Sequence, residues 1–185
     1  ERSFEVNDLL RRDSNGHGYC NILRLSDIQA KPALFSTFML CLLAEIYETF
    51  PERGDMDKPQ LCIFIDEAHL IFDDANKARL DQIELPVKLL RSRGVGIFSV
   101  TQNPTDIPAQ VLSQLGTKIQ HALRAHTAID RKNINLIAQN YPETSYYDTA
   151  LLITELGVGE ALVTGLDNKG IPLPLVHTIL YPPSS

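Results

Sequence analysis

Cysteine is scarce in this sequence and is placed where it can build nothing. The three residues, Cys20, Cys41 and Cys62, are an odd number, none forms a C-x-x-C pair, and each lies within an apolar stretch. Neither a disulfide framework nor a zinc knuckle is suggested by that pattern, and the expectation is buried, reduced thiols of a cytoplasmic protein. A long hydrophobic run is also missing. The longest uncharged apolar stretch, Ala33 to Ala44, falls short of the roughly 20 residues that span a bilayer and suits a buried helix. There is no leader pattern, internal repeat or low-complexity segment. Basic excess is missing too: the net charge is −6, which weighs against a self-sufficient nucleic-acid-binding module with a basic stripe and leaves nucleic acid to surfaces outside this piece. Lysine and arginine gather only locally, at Lys88/Arg91/Arg93 and at Lys118/Arg124/Arg131/Lys132, as they do on solvated helix faces.

What is present is an ordinary globular composition over 185 residues, 44% hydrophobic and 22% charged, enough for one domain with a core. The first residue is Glu1 rather than Met, and nothing before Asn21 reads as a domain start. The sequence is therefore expected to be a piece of a longer protein. Gly16 and Gly18 mark a turn, and Asn21–Leu25 reads as a short strand. Pro32 opens a helix to about Phe50, with Leu34, Phe38, Leu42 and Ile46 at helical spacing and Phe35, Met39 and Leu43 widening the stripe, as in a helix buried on most sides. Leu61–Ile65 is an unbroken apolar run, the pattern of a parallel strand covered on both faces. Asn76 to Arg93 reads as helix with Pro86 forcing a kink or restart. Val95–Thr101 is the next buried strand, Asp106–Leu115 a short helix and Thr117–Leu123 another strand. Thr127 and Asp130 form a capping box opening a helix through Asn140, and Tyr147–Glu155 reads as one more. Glu160–Thr164 and Leu175–Leu180 close the chain as a strand pair around Asp167–Gly170. Alternation of strands and helices predicts an α/β fold with an open, largely parallel sheet and a C-terminal antiparallel pair.

The chemistry gathers at Leu61-Cys-Ile-Phe-Ile-Asp66-Glu67-Ala-His69. Ligands of α/β sheets bind at the carboxyl ends of strands, and that is where these two acids fall. Adjacent carboxylates cannot be buried without partners, so they need a cation, donors or solvent. The arrangement matches the Walker B pattern of ATPases: Asp66 holds the Mg²⁺ shell through water, and Glu67 orients and polarises the attacking water. The plainer alternative is that both acids cap the following helix. His69 receives no role. A second buried strand, Ile97-Phe-Ser-Val-Thr101-Gln102-Asn-Pro104, also ends in polar groups. In a parallel sheet its end can neighbour the acids, and Gln102 can then reach the γ-phosphate or the attacking water.

Five stretches in order carry a resemblance over nearly the whole chain. They are Phe64-Ile-Asp-Glu-Ala-His-Leu-Ile-Phe72, Leu89-Leu-Arg-Ser-Arg-Gly-Val-Gly96, Val100-Thr-Gln-Asn-Pro104, Leu115-Gly-Thr-Lys-Ile-Gln-His-Ala-Leu-Arg124 and Leu156-Gly-Val-Gly-Glu-Ala-Leu-Val163. Together they resemble the FtsK/HerA branch of P-loop motor ATPases, and within it the bacterial HerA-like helicase C-terminal domains. The resemblance implies a RecA-like P-loop NTPase sheet, with residues 1–185 as the C-terminal part of a single such domain. It implies ATP and Mg²⁺ as cofactors, self-association into a ring, a hexamer, and hydrolysis coupled to moving DNA or another polymer. It implies Asp66 and Glu67 as Walker B, Gln102 as sensor, Arg91 as an arginine finger, and Arg124 as a basic residue near the nucleotide at a subunit edge.

Two departures bear on this. No G-x-x-x-x-G-K-[ST] occurs in the sequence, so the phosphate cradle is expected upstream, and the 185 residues alone are expected to be inactive. Pro86 breaks the helix that leads to Arg91. Two other readings stand beside the motor. Asp66-Glu-Ala-His69 also spells the signature of DEAH-type superfamily 2 helicases, although the chain continues past Thr101 with further strands and helices. A degenerate, non-catalytic NTPase scaffold is the other, against which the retained Glu67 and Gln102 argue.

Overall fold

A computed structural model describes residues 4–54, 56–72, 89–102, 105, 107–113, 115–167 and 169–182. The chain divides into two compact units, Glu1–Gln114 and Leu115–Ser185.

In the first unit, a 3-10 turn (Val6–Leu10) and the one-turn helix α1 (Ser26–Gln29) precede α2 (Pro32–Thr49). Pro32 occupies the first turn of α2, where its missing N–H costs nothing. Strand β1 (Leu61–Ile65) pairs in parallel with β2 (Val95–Ser99), in a register that runs from Leu61 opposite Val95 to Ile65 opposite Ser99. Helix α2 covers one face of this pair: Leu42, Leu43 and Ile46 pack with Leu90 and Val95, and Phe35 and Met39 with Ile65, Ala68 and Ile71. The buried positions 35, 39, 42, 43 and 46 form a single stripe, while Leu34 and Cys41 are exposed. The helix is thus one-faced rather than buried on most sides.

The other face of the strand pair is open among the described residues. Phe64 and Phe98, opposite one another in the register, stack with ring centroids 4.5 Å apart and remain 69% and 48% exposed. Strand parity explains this: Ile63 and Ile65 point to α2, so Cys62 and Phe64 point away. The expectation of coverage on both faces is corrected accordingly. So is that of buried thiols, since all three cysteines are exposed. Asn21–Leu25 is irregular rather than a strand; Ile22 is 81% exposed, and an isolated five-residue run has no ladder to join. The helix expected over Asn76–Arg93, with Pro86, lies largely outside the described residues. Its visible end is helical at Leu89–Leu90 and closes as a 3-10 turn, Arg91–Arg93, on the left-handed Gly94. Helix α3 (Ala109–Leu112) ends the unit.

The second unit is a three-stranded antiparallel sheet in the order β3 (Lys118–Gln120), β4 (Glu160–Thr164), β5 (Val176–Ile179). The closing pair has the expected orientation, and β3 joins it antiparallel. The parallel character expected of the sheet resides in β1–β2. Helices α4 (Ala128–Ala138) and α5 (Thr149–Glu155) pack on this sheet through Ile134, Ile137, Ile153, Leu156, Leu162 and Leu175. The Thr127/Asp130 capping box opens α4 as the sequence predicts, and Asp148 accepts from the Leu151 N–H to cap α5. Among the described residues no helix is long and apolar enough to cross a membrane.

Candidate active site

Asp66 and Glu67 follow directly from β1 and stand at its carboxyl end, as the sequence predicts. The ladder with β2 continues past the strands, through Val100 N–H to Ile65 O at 2.9 Å and Ala68 N–H to Val100 O at 2.9 Å. Between these two bonds the chain must turn sharply into the 3-10 turn Ala68–Ile71, and Glu67 absorbs the turn at φ 50°, ψ 46°. It is the single described residue other than glycine with positive φ. A left-handed conformation of this kind costs about 1–3 kcal/mol and persists only where its surroundings over-determine it. Here they do. Asp66 Oδ1 accepts from the Glu67 N–H at 3.0 Å, Ala68 is wholly buried, and the Leu70 N–H returns to Glu67 O at 3.0 Å. Ser36, buried on α2, donates to Ile71 O at 2.8 Å and ties the turn to the helix beneath it.

Both oxygens of the Glu67 carboxylate have a polar neighbour, one a hydrogen-bond donor and the other at ion-pair distance. Gln102 Nε2 donates to Oε1 at 2.8 Å, and His69 Nδ1 lies 3.3 Å from Oε2. Thr101 Oγ1 is 3.4 Å from the same His69 nitrogen. The two polar strand ends therefore meet as adjacency in the parallel register requires. His69, which receives no role from the sequence, belongs to this cluster. The sole signal was its position two residues beyond Glu67, and that becomes informative only once the turn is known to be 3-10. Asp66 is exposed beside Glu67 with one oxygen engaged by backbone. Such a rim carboxylate fits Mg²⁺, which keeps several waters and takes one or two protein carboxylates together with phosphate oxygens. Among the described residues no group of three or more His, Cys, Asp or Glu is placed to hold a metal by itself.

The arginines of the first unit lie elsewhere. Arg91 is exposed in the turn before β2, beside Met56, Pro59 and Gly94. It stands at the entry of the parallel pair, about 16 Å of strand from the exit where Glu67 sits, at roughly 3.3 Å per residue. The structure does not bring it to the acids. Arg93 has a structural occupation: its guanidinium lies 4.6 Å from the Tyr47 ring centre and Nη1 donates to Phe50 O at 2.7 Å. Arg124, in the second unit, donates through Nη1 to Thr154 O and through Nη2 to Leu156 O at 2.9 Å, closing the C-terminal end of α5.

The model of the helicase HerA-like C-terminal family matches residues 1–185. A protein of Methanocaldococcus jannaschii described as a probable helicase is 33% identical over 166 residues, which is 86% of this chain and 30% of that protein. The DNA double-strand break repair helicase HerA of Sulfurisphaera tokodaii is 28% identical over 151 residues, 80% of this chain and 29% of the relative. The chain thus spans about 30% of the length of the curated relatives it matches. Among solved structures, the genome packaging NTPase of Sulfolobus turreted icosahedral virus 2, in complex with AMPPCP, superimposes with a TM-score of 0.50 at 17% identity. The match covers 88% of this chain and 74% of that one, a likeness of fold.

Proposed function

The chain belongs to the helicase HerA-like C-terminal family, and from that membership we propose that it carries the water-activating part of an ATP-hydrolysing motor. The observation that carries the proposal is the 2.8 Å bond from Gln102 to Glu67 at the exit of two parallel strands. It puts a carboxylate and an amide from separate strands at one point of the rim. Glu67 accepts the proton of the attacking water as its oxygen bonds to the γ-phosphorus, and the bridging oxygen leaves with the electron pair on ADP. Gln102 orients that water or the γ-phosphate. Asp66 holds the hydration shell of Mg²⁺, which when bound neutralises charge on the β- and γ-phosphate oxygens. The glycine–lysine cradle, absent from these 185 residues, is supplied by the remainder of a longer protein.

Full activity in this reading belongs to a ring, hexameric and cytoplasmic, in which Arg91 projects from the far end of the strands toward a neighbour's nucleotide. The translocated substrate is DNA or another polymer. The family match extends through the region beyond Thr101 that a superfamily 2 reading leaves unexplained, and the held Glu67 and Gln102 speak against a degenerate scaffold.

The test is Glu67→Gln in the full-length protein. Removing the charge at constant size lowers hydrolysis by roughly two to four orders of magnitude and leaves ATP binding intact, whereas Asp66→Asn weakens the Mg²⁺-dependent steps. A Glu67→Gln rate within a few-fold of the parent would show that Glu67 does not activate the water.

A further inference from the structure

We propose that His69 is the positioning residue of the hydrolytic carboxylate, an inference that rests on reading Glu67 as the group that activates water. Glutamate has three side-chain torsions, and here it is mounted on a left-handed backbone with a quarter of its side chain exposed. One bond, from Gln102 to Oε1, leaves the carboxylate free to pivot about that oxygen. The second oxygen has His69 Nδ1 beside it at 3.3 Å, within ion-pair distance.

An ionised carboxylate only accepts, so the positioning role requires a proton on Nδ1, the nitrogen that also has the Thr101 hydroxyl 3.4 Å away. The two anchors differ in kind. Gln102 stands on the neighbouring strand exit and is the group that turns to the γ-phosphate or water when nucleotide arrives. His69 stands on the same 3-10 turn as Glu67, a turn held by the buried Ala68, by the Ala68–Val100 backbone bond and by Ser36 on α2. When Gln102 lets go, His69 still holds Glu67. Its contribution therefore appears in the chemical step and not in nucleotide binding. A misplacement of about 1 Å in such a group costs about a hundredfold in rate.

The experiment uses the full-length protein, with ATP affinity measured separately from single-turnover hydrolysis. The variants are His69→Ala, His69→Asn and His69→Gln, with His69→Ala also placed on Glu67→Gln. Asparagine presents its amide nitrogen where Nδ1 stands, and glutamine presents its own one carbon farther out.

We expect His69→Ala to slow hydrolysis about ten- to a hundredfold at unchanged ATP affinity, with His69→Asn restoring most of the rate and His69→Gln little. On the Glu67→Gln background the alanine should cost nothing more, because its route of action is already gone. Three results would overturn the proposal. One is a His69→Ala rate within two- to threefold of the parent. Another is an equal further loss on the Glu67→Gln background, the mark of an independent structural role. The third is rescue by glutamine as good as by asparagine. An inactive Glu67→Gln with a fully active His69→Ala refutes the positioning alone, while an active Glu67→Gln refutes the underlying assignment of Glu67.

Discussion

Replacing Arg124 with alanine removes two donors from the end of α5, and the outcome distinguishes a helix clamp from a nucleotide contact. The Nη2 bond to Leu156 O at 2.9 Å is half-buried, and the Nη1 bond to Thr154 O is exposed. A hydrogen bond from a charged donor contributes about 1.5–3 kcal/mol when shielded, and the exposed one adds little after solvent screening. A cation at a helix C-terminus adds about 0.3–1 kcal/mol. Because the Leu156 bond is only half-buried, the low end of these ranges applies, and the sum for Arg124→Ala is about 2 kcal/mol, or roughly a thirtyfold rise in local opening at 1.4 kcal/mol per decade. Amide hydrogen exchange in the full-length protein reads it directly: the amides of Leu152–Leu156 should exchange about thirtyfold faster, while those of α2 stay as they were. Arg124→Lys keeps the charge but loses the planar fork and should fall between. Unchanged α5 protection together with a large loss of ATP turnover would refute the clamp and return Arg124 to the nucleotide, where the family resemblance places it.

Three further outcomes are expected. Arg91→Ala and Glu67→Gln should each be inactive alone yet regain ATPase activity when co-assembled, because one interface then holds an intact Glu67 and an intact Arg91; near-normal turnover by Arg91→Ala alone would remove the finger. Gly94→Ala should destabilise the first unit by about 1–2 kcal/mol in chemical denaturation, since alanine disfavours its φ of 71° and the new methyl would meet Met56 Sδ at 2.9 Å. The Asp130 carboxyl is held below its ordinary value by backbone donation from Thr127 and then His126; a depressed carboxylate stabilises above its unfolded pKa, so α4 protection should be constant at neutral pH and decline as pH falls below about 4, and Asp130→Asn should abolish that decline.

Legibility in the sequence followed the range of the interaction involved. The β1 and β2 runs, the start of α2 at Pro32 and the Thr127/Asp130 box were readable because each is set by residues within a few positions of one another. Asn21–Leu25 has strand composition, but pairing is a property of the partner, and the chain offers none there among the described residues. Cys62 and Phe64 looked buried because a continuous apolar run carries no sign of which face has a neighbour; only α2 lying on the Ile63/Ile65 side decides that. Within the site, Asp66, Glu67 and Gln102 could be placed from strand ends alone. His69 could not, since its direction depends on the left-handed Glu67 before it. Nor could the Arg124 clamp, whose acceptors lie 30 and 32 positions along the chain.

The parallel register has an evolutionary consequence. Ile65 faces Ser99, Glu67 comes two residues after the one and Gln102 three after the other. The contact between them is thus inherited as an offset in a ladder, not as a separation in sequence. Adding residues to the connection between Phe72 and Leu89 leaves that offset untouched, so descendants can lengthen or rebuild it at no cost to the carboxylate. One residue gained or lost between Ser99 and Gln102 shifts the amide by about 3.3 Å, enough to take it out of hydrogen-bond reach of Glu67 Oε1. Drift is therefore open to the crossover and closed to the two short strand exits.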